Sequence, residues 1–224
     1  MIPFEFLDSA KIPGNSEELR LYKRGNEFLI MVGNYELMNS RAHGSEDALG
    51  ELACKKIASR PGVNVLIGGL GMGYTVAAAL KQLVTDARIV VAELVPTVVE
   101  WNRGALADLA GHPLDNSRVT VQEIDVAKVL RAERGAYDAI LLDVDNGPAG
   151  LTRQRNDWLY TREGLNAAFA ALRPKGILAV WSASSDRTFL QRLRRVGFKV
   201  EEVSVRAHGS RGSRNTIWLA ERKP

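Results

Sequence analysis

Glu93, Asp125 and Asp143 each stand at the end of an aliphatic run, and a fourth run ends in the glycines 69, 71 and 73. Within that glycine-rich segment, Val63-Asn64-Val65-Leu66-Ile67 stops at Gly68-Gly69-Leu70-Gly71-Met72-Gly73 and gives way to a helical pattern. A strand, a tight turn and a helix start follow from this change of pattern. Missing Cβ atoms let a ligand approach the backbone, and the N-terminus of the next helix offers N–H donors and a positive dipole end. Twenty residues after Gly73, Glu93 closes the run Arg88-Ile89-Val90-Val91-Ala92. A carboxylate there can accept both hydroxyls of a ribose, so turn, spacing and acid together point to a nucleoside-containing cofactor.

These residues need a scaffold that brings strand ends together. The sequence predicts strands over 63–67, 88–93, 118–122, 137–142 and 176–181, separated by helices that end near Leu83, open at Pro96, span about 161–172 and run from Asp186 to Val196. Such alternation predicts a parallel sheet covered on both faces. Phe198 to Val205 and Asn215 to Ala220 are joined too closely for a parallel crossover and should pair as an antiparallel hairpin at the sheet edge. The expected fold class is therefore α/β: a doubly wound, Rossmann-like, mostly parallel seven-stranded sheet with an antiparallel C-terminal hairpin. Ahead of it, runs around Leu19–Tyr22 and Glu27–Val32 flank Arg24-Gly25-Asn26 and form a small N-terminal β element. The organisation read from this is a β-hairpin region over 1–44 and a cofactor-binding domain over 45–224. Ser45-Glu46-Asp47 reads as the start of a helix that reaches Pro61-Gly62, with a capping side chain and acids in the first turn.

Composition narrows the classes. A chain of 224 residues with one cysteine, Cys54, forms no intrachain disulfide and fits a reducing compartment; the thiol itself reads as a small core residue. With neither a basic, apolar leader nor eighteen consecutive apolar residues, the expectation is a cytoplasmic protein that does not enter a membrane. The net charge of +4 owes part of its excess to arginines in 187–195 and 206–214. Nucleic acid is one reading of these, but no aromatics interleave the arginines of 206–214, and a solvated helix face and a flexible Gly/Ser-rich hairpin loop are favoured. His43, His112 and His208 are scattered without ligating partners, so no metal is expected.

In open α/β sheets, ligands sit beyond the carboxyl ends of the strands, where the glycines, Glu93, Asp125 and Asp143 all fall. Each acid also has a structural reading: Glu93 solvated, Asp125 capping a helix, Asp143 holding a turn. The spacing G-x-G-x-G, rather than G-x-G-x-x-G, with an acid placed for an adenine amino group, favours S-adenosylmethionine or a relative over a dinucleotide. Asp125, with Val126 beside it, is assigned to the adenine.

At these positions the chain resembles the spermidine synthase family, aminopropyltransferases built on the class I methyltransferase fold. Val65 to Gly73 stands where that family has its glycine-rich loop, Glu93-Leu94-Val95-Pro96 where it has Glu-Ile-Asp-Pro, and Tyr137 to Asp143 where it approaches its catalytic loop. Leu159-Tyr160-Thr161-Arg162-Glu163 and Leu172 to Leu178 extend the match. The resemblance implies that Asp143 and, across a gap, Asp145 bind and deprotonate an amine, and that a loop from Val144 to Trp158 closes over it, with Asn146, Asp157 and Trp158 as contacts. Gly33 to Glu36 and His43-Gly44-Ser45-Glu46 resemble segments that enclose substrate, which makes Glu36, His43, Ser45 and Glu46 substrate-binding candidates; His43 alternatively is a loop histidine beside a helix cap. The family carries an acid at the position of Gly71, where it pairs with the aminopropyl ammonium of decarboxylated S-adenosylmethionine. Its loss favours ordinary S-adenosylmethionine and methyl transfer to a small amine, with aminopropyl transfer as the alternative and a non-catalytic binding module or an RNA methyltransferase as further ones. A homodimer is also implied.

Overall fold

The computed structural model describes residues 2–14, 16–144, 153–208 and 211–224. Four antiparallel strands open the chain: β1 (Glu5–Lys11), β2 (Glu18–Arg24), β3 (Glu27–Val32) and β4 (Tyr35–Asn39), in the order β1-β2-β3-β4. The predicted hairpin is β2–β3; β4 follows through the two-residue turn Gly33-Asn34, and β1 is joined ahead of the hairpin past Pro13-Gly14. After α1 (Gly44–Lys55) the alternation begins: β5 (Asn64–Gly68), α2 (Tyr74–Gln82), β6 (Arg88–Glu93), α3 (Pro96–Arg103), β7 (Val119–Glu123), α4 (Val126–Ala132) and β8 (Tyr137–Leu142). It continues through α5 (Arg153–Tyr160), α6 (Arg162–Ala171), β9 (Leu172–Ser182), α7 (Arg187–Val196), β10 (Phe198–His208) and β11 (Arg211–Arg222). The seven-stranded sheet has the order β10-β11-β9-β8-β5-β6-β7, parallel from β9 to β7 and antiparallel at the β10–β11 hairpin.

Alternation along the strands divides the core in two. Val65, Ile67, Ile89, Val91, Ala139, Leu141, Ile217 and Leu219 face α1, α2 and α3, and Leu19, Leu21, Phe28 and Ile30 of the N-terminal sheet join the same cluster. Leu66, Ile140, Leu142, Val180 and Trp218 face the other way, onto α4, α6 and α7. The N-terminal sheet is thus part of the wall that covers the first face.

Local chemistry sets the helix ends. Asp186 accepts from the backbone N–H groups of Thr188 and Phe189 to cap α7, and Thr161 accepts from Gly164 to cap α6. Two expectations are corrected. Part of the expected 144–158 loop is helix, since α5 starts at Arg153; Trp158 lies beneath the Arg131 guanidinium, 3.8 Å from it, while Asp157 is exposed. The expected flexible loop over 206–214 is mostly strand: the ladder continues through Arg206 opposite Arg214 to His208 opposite Arg211. The alternating Arg/Ser/Gly composition there carries weak strand propensity, and continuation of the existing ladder overrides it. Among the described residues no helix is long and apolar enough to cross a membrane.

Candidate active site

The turn after β5 is built by close approaches that only glycine permits. Gly69 has φ +88°, donates its N–H to the Ala92 carbonyl at 2.9 Å, and lies so near β8 that a Cβ would run into the Asp143 carbonyl oxygen. Gly71 has φ +53°, and a Cβ there would stand 2.7 Å from Met38 Cε and 2.9 Å from its sulfur. Met38 on β4 therefore covers the turn, bringing the N-terminal sheet to the sheet's C-terminal rim. Asn102 of α3, buried, donates Nδ2 to the carbonyls of Gly71 (2.8 Å) and Val98 (2.9 Å), which holds the turn from the other side. Gly73 follows as the residue before α2, and no side chain caps that helix.

Glu93 sits where expected, at the end of β6, and is 7% exposed. Its two carboxylate oxygens accept from the backbone N–H groups of Leu70 and Val95, both at 2.8 Å. These bonds fix the carboxylate between the glycine turn and the start of α3. Asp125 is the N-cap of α4 and accepts from Ala127 N at 2.8 Å, the capping role the sequence had left open. Buried Val126 packs against Gly68, whose Cβ position would lie 2.9 Å from a Val126 methyl.

The chemistry concentrates where α1 and α2 meet the end of β8. Asp143 Oδ2 accepts from Thr75 Oγ1 at 2.6 Å, and the same hydroxyl lies 3.2 Å from the carbonyl oxygen of Glu46. Glu46, in the first turn of α1, is 7% exposed, and its Oε2 accepts from Ser45 Oγ at 2.6 Å. Burial, and after it the negative charge of Asp143, pushes the Glu46 carboxyl up to about 7. Burial likewise raises Asp143 to about 6, with the Thr75 hydrogen bond opposing. Two carboxyls that disfavour their own ionisation favour a cation between them, and near neutrality either can take up a proton.

His43 occupies the N-cap position of α1 without a side-chain cap. Its Nδ1 lies 2.7 Å from Asp47 Oδ2, and its ring stacks on Tyr74 at 4.1 Å between centroids and 11° between planes. Tyr74 donates its hydroxyl to the Ser40 carbonyl, and burial, then the charges of Asp47 and Glu46, lifts its phenol to about 12. The expectation that Ser45 caps α1 is corrected: the cap position falls two residues earlier, at His43, so the Ser45 hydroxyl lies inside the first turn and turns to Glu46. Glu36 is exposed on β4, held by the Asn39 amide, with no contact to the acid pair among the described residues. Asp145 and Asn146 lie outside the described residues.

Glu46, Asp143, Ser45 and His43 are thus brought together, while Glu93 and Asp125 take separate places along the rim. Thr75, Met38 and Asn102 were not singled out in the sequence. Each acts through a tertiary contact, and none belongs to a motif that spacing could reveal; only the placement of Thr75 in the turn after the glycines hinted at it.

A family model described as the spermine/spermidine synthase domain matches residues 53–194. Over 151 residues the chain is 30% identical to a polyamine aminopropyltransferase of Mycobacterium tuberculosis, in a match that covers 63% of this chain and 28% of that protein. The chain thus spans less than a third of that relative's length. A spermidine synthase from Thermotoga maritima superposes with a TM-score of 0.75 at 16% identity, covering 97% of this chain and 72% of that one. A spermidine synthase in complex with the transition-state analogue AdoDATO superposes with a TM-score of 0.74 at 16% identity and the same coverage. Those two structures share the fold, and the sequence match over 53–194 carries the ancestry: the chain belongs to the spermine/spermidine synthase family.

Proposed function

We propose that this protein transfers an aminopropyl group from decarboxylated S-adenosylmethionine to a small aliphatic amine, with the Glu46–Asp143 acid pair as the amine-binding and proton-accepting centre. The observation that carries the reading is that pair: two carboxyls from different elements, both raised toward neutrality, one hydrogen-bonded to Thr75 and the other to Ser45. A protonated amine would stabilise the ionised pair. Loss of its proton to one of the carboxylates would expose the lone pair that forms the new C–N bond as the C–S bond breaks.

The residues present fit such a donor. Glycines 69, 71 and 73 open the rim, Glu93 would hold the ribose hydroxyls and Asp125 with Val126 the adenine. The donor supplies an activated carbon beside a sulfonium that leaves as a neutral thioether. The chain's part is alignment, for which near-attack geometry can contribute roughly 7–11 kcal/mol. Asp145 and Asn146 are assigned to the acceptor by resemblance, and Glu36 and His43 to the substrate entrance.

The preference for methyl transfer rested on Gly71 alone, and the family match and the relatives favour aminopropyl transfer instead. The missing carboxylate at 71 goes with Met38 lying over that position. A homodimer stays part of the proposal, to be checked by light scattering. Incubation with a linear diamine and either donor, followed by mass spectrometry, tests the reading. The expected result is methylthioadenosine and an aminopropylated amine, with at least about tenfold preference for the decarboxylated donor, a gap of about 1.4 kcal/mol. Methylated amine from ordinary S-adenosylmethionine as the only product would overturn it.

A further inference from the structure

The C-terminal hairpin reaches the first turn of α1 at two points. A Cβ on Gly44 would stand 2.9 Å from the Ala207 carbonyl oxygen and 3.0 Å from that of Arg206, so β10 lies directly against the helix start. Next to it, Asn215 of β11 donates Nδ2 to Ser45 Oγ at 3.1 Å, and Ser45 donates its own hydroxyl to Glu46 Oε2 at 2.6 Å. All three are buried: Ser45 is 1% exposed, Asn215 and Glu46 7% each.

Asn215 is out of pattern for its place. Alternation along β11 puts it in line with Ile217 and Leu219, both buried in the cluster that α1 covers, so an aliphatic side chain is what packing alone would ask for. An amide in a strand interior has low propensity and must find partners when buried. By occupying an acceptor site on Ser45 Oγ, the Asn215 N–H leaves the hydroxyl hydrogen to point at Glu46, and donation into the hydroxyl strengthens its onward bond.

We propose that Asn215 and Ser45 are positioning residues that fix the Glu46 carboxylate in its place beside Asp143, so that the C-terminal hairpin is a working part of the acid centre. The role assigned to Glu46 in catalysis rests on the proposed function; its positioning does not. The groups around it are Asp143 at the end of β8, Asp47 on its own helix with His43 paired to it, and Tyr74 and Thr75 on α2. Burial and both aspartates oppose the charged form of Glu46, while the Ser45 side-chain hydrogen bond, and after it a backbone hydrogen bond within Glu46 itself, favour it. Removing the chain should therefore raise the carboxyl further.

The test is a carbon-13 NMR titration of glutamate carboxyls in the full chain, with Glu46 assigned through E46Q, for wild type, N215L, S45A and the double variant. The expected result is a Glu46 midpoint raised by about half to one pH unit in each single variant. In the double variant the rise should stay within about 0.3 unit of the larger single effect, because both act through one hydroxyl. In parallel, the acid limb of kcat/KM should move up by the same amount, with a loss of about 2- to 5-fold at pH 7 that shrinks above pH 9. A role in folding alone would lower the melting temperature and leave the midpoint in place. Midpoints within about 0.2 unit of wild type in both single variants, or additive shifts in the double, would overturn the inference. If no aminopropyl transfer occurs even in the wild type, the proposed function falls, and the NMR midpoints still decide the positioning.

Discussion

Glu46 and Asp143 lie 97 positions apart in the chain, yet the charge of Asp143 helps set how tightly Glu46 holds its proton. The consequence for stability has a definite sign. Glu46 rises from an ordinary 4.5 to about 7 on folding, so the folded state binds its proton more tightly than the unfolded chain does. Its contribution is full below about pH 4.5 and is lost as pH rises through 7. E46Q is neutral at every pH and should gain on the order of 2–3 kcal/mol relative to wild type between pH 4 and pH 8, a few degrees or more in Tm, read by thermal denaturation at both. An equal Tm difference at the two pH values would contradict the buried-acid account. Asp143 was legible from its place at the end of an aliphatic run, whereas Glu46 was legible only through resemblance. Its burial and its Asp143 neighbour arise from packing of α1 on the sheet, which no local pattern records. Asn215 was invisible for the same reason: its one meaningful bond joins residues 170 positions apart.

Elements that carry the site differ in how much strain they tolerate. At the turn between β5 and α2, both Gly69 and Gly71 have positive φ, and alanine at either costs about 1 kcal/mol or more from backbone conformation alone. What a Cβ would meet separates them. At 71 it meets the tip of Met38, a flexible side chain that can swing away, and at 69 it meets the Asp143 backbone carbonyl, which cannot move without dislodging the end of β8. Denaturant unfolding should therefore show G69A losing about 2–4 kcal/mol and G71A about 1–2 kcal/mol, and M38A should relieve part of the second loss and none of the first. Equal losses would mean that β8 does not press on the turn. The turn and its glycines were plain in the sequence, as were the strands that flank them and the helix starts near Asp186 and Thr161. The start of α1 was misplaced by two residues, the cap falling at His43 rather than Ser45, because Ser45 has a capping side chain and uses it on Glu46 instead. Strand continuation over 206–214 was missed because sheet pairing can extend a ladder through a sequence of poor propensity.

At the scale of the whole molecule, the N-terminal sheet, the doubly wound sheet and the C-terminal hairpin all bear on one rim. Met38 comes from the first, Glu93 and Asp143 from the second, and Asn215 from the third. The alternating strands and helices made the topology readable, since hydrophobic period and crossover length leave few arrangements for such a chain. Placement of the first four strands over the glycine turn was not readable, because it depends on which faces the two sheets share. In the proposed reaction the acid pair accepts the proton of an attacking amine. The most direct test is the single-turnover rate of methylthioadenosine release from decarboxylated S-adenosylmethionine and a saturating diamine, followed from pH 5 to 9 in wild type and D143N. The wild-type rate should climb through about pH 6–7 as the carboxyls ionise and then level, and D143N should be slower by about 10²- to 10⁴-fold at the plateau. A D143N rate within a few-fold of wild type, with the same pH profile, would contradict the claim.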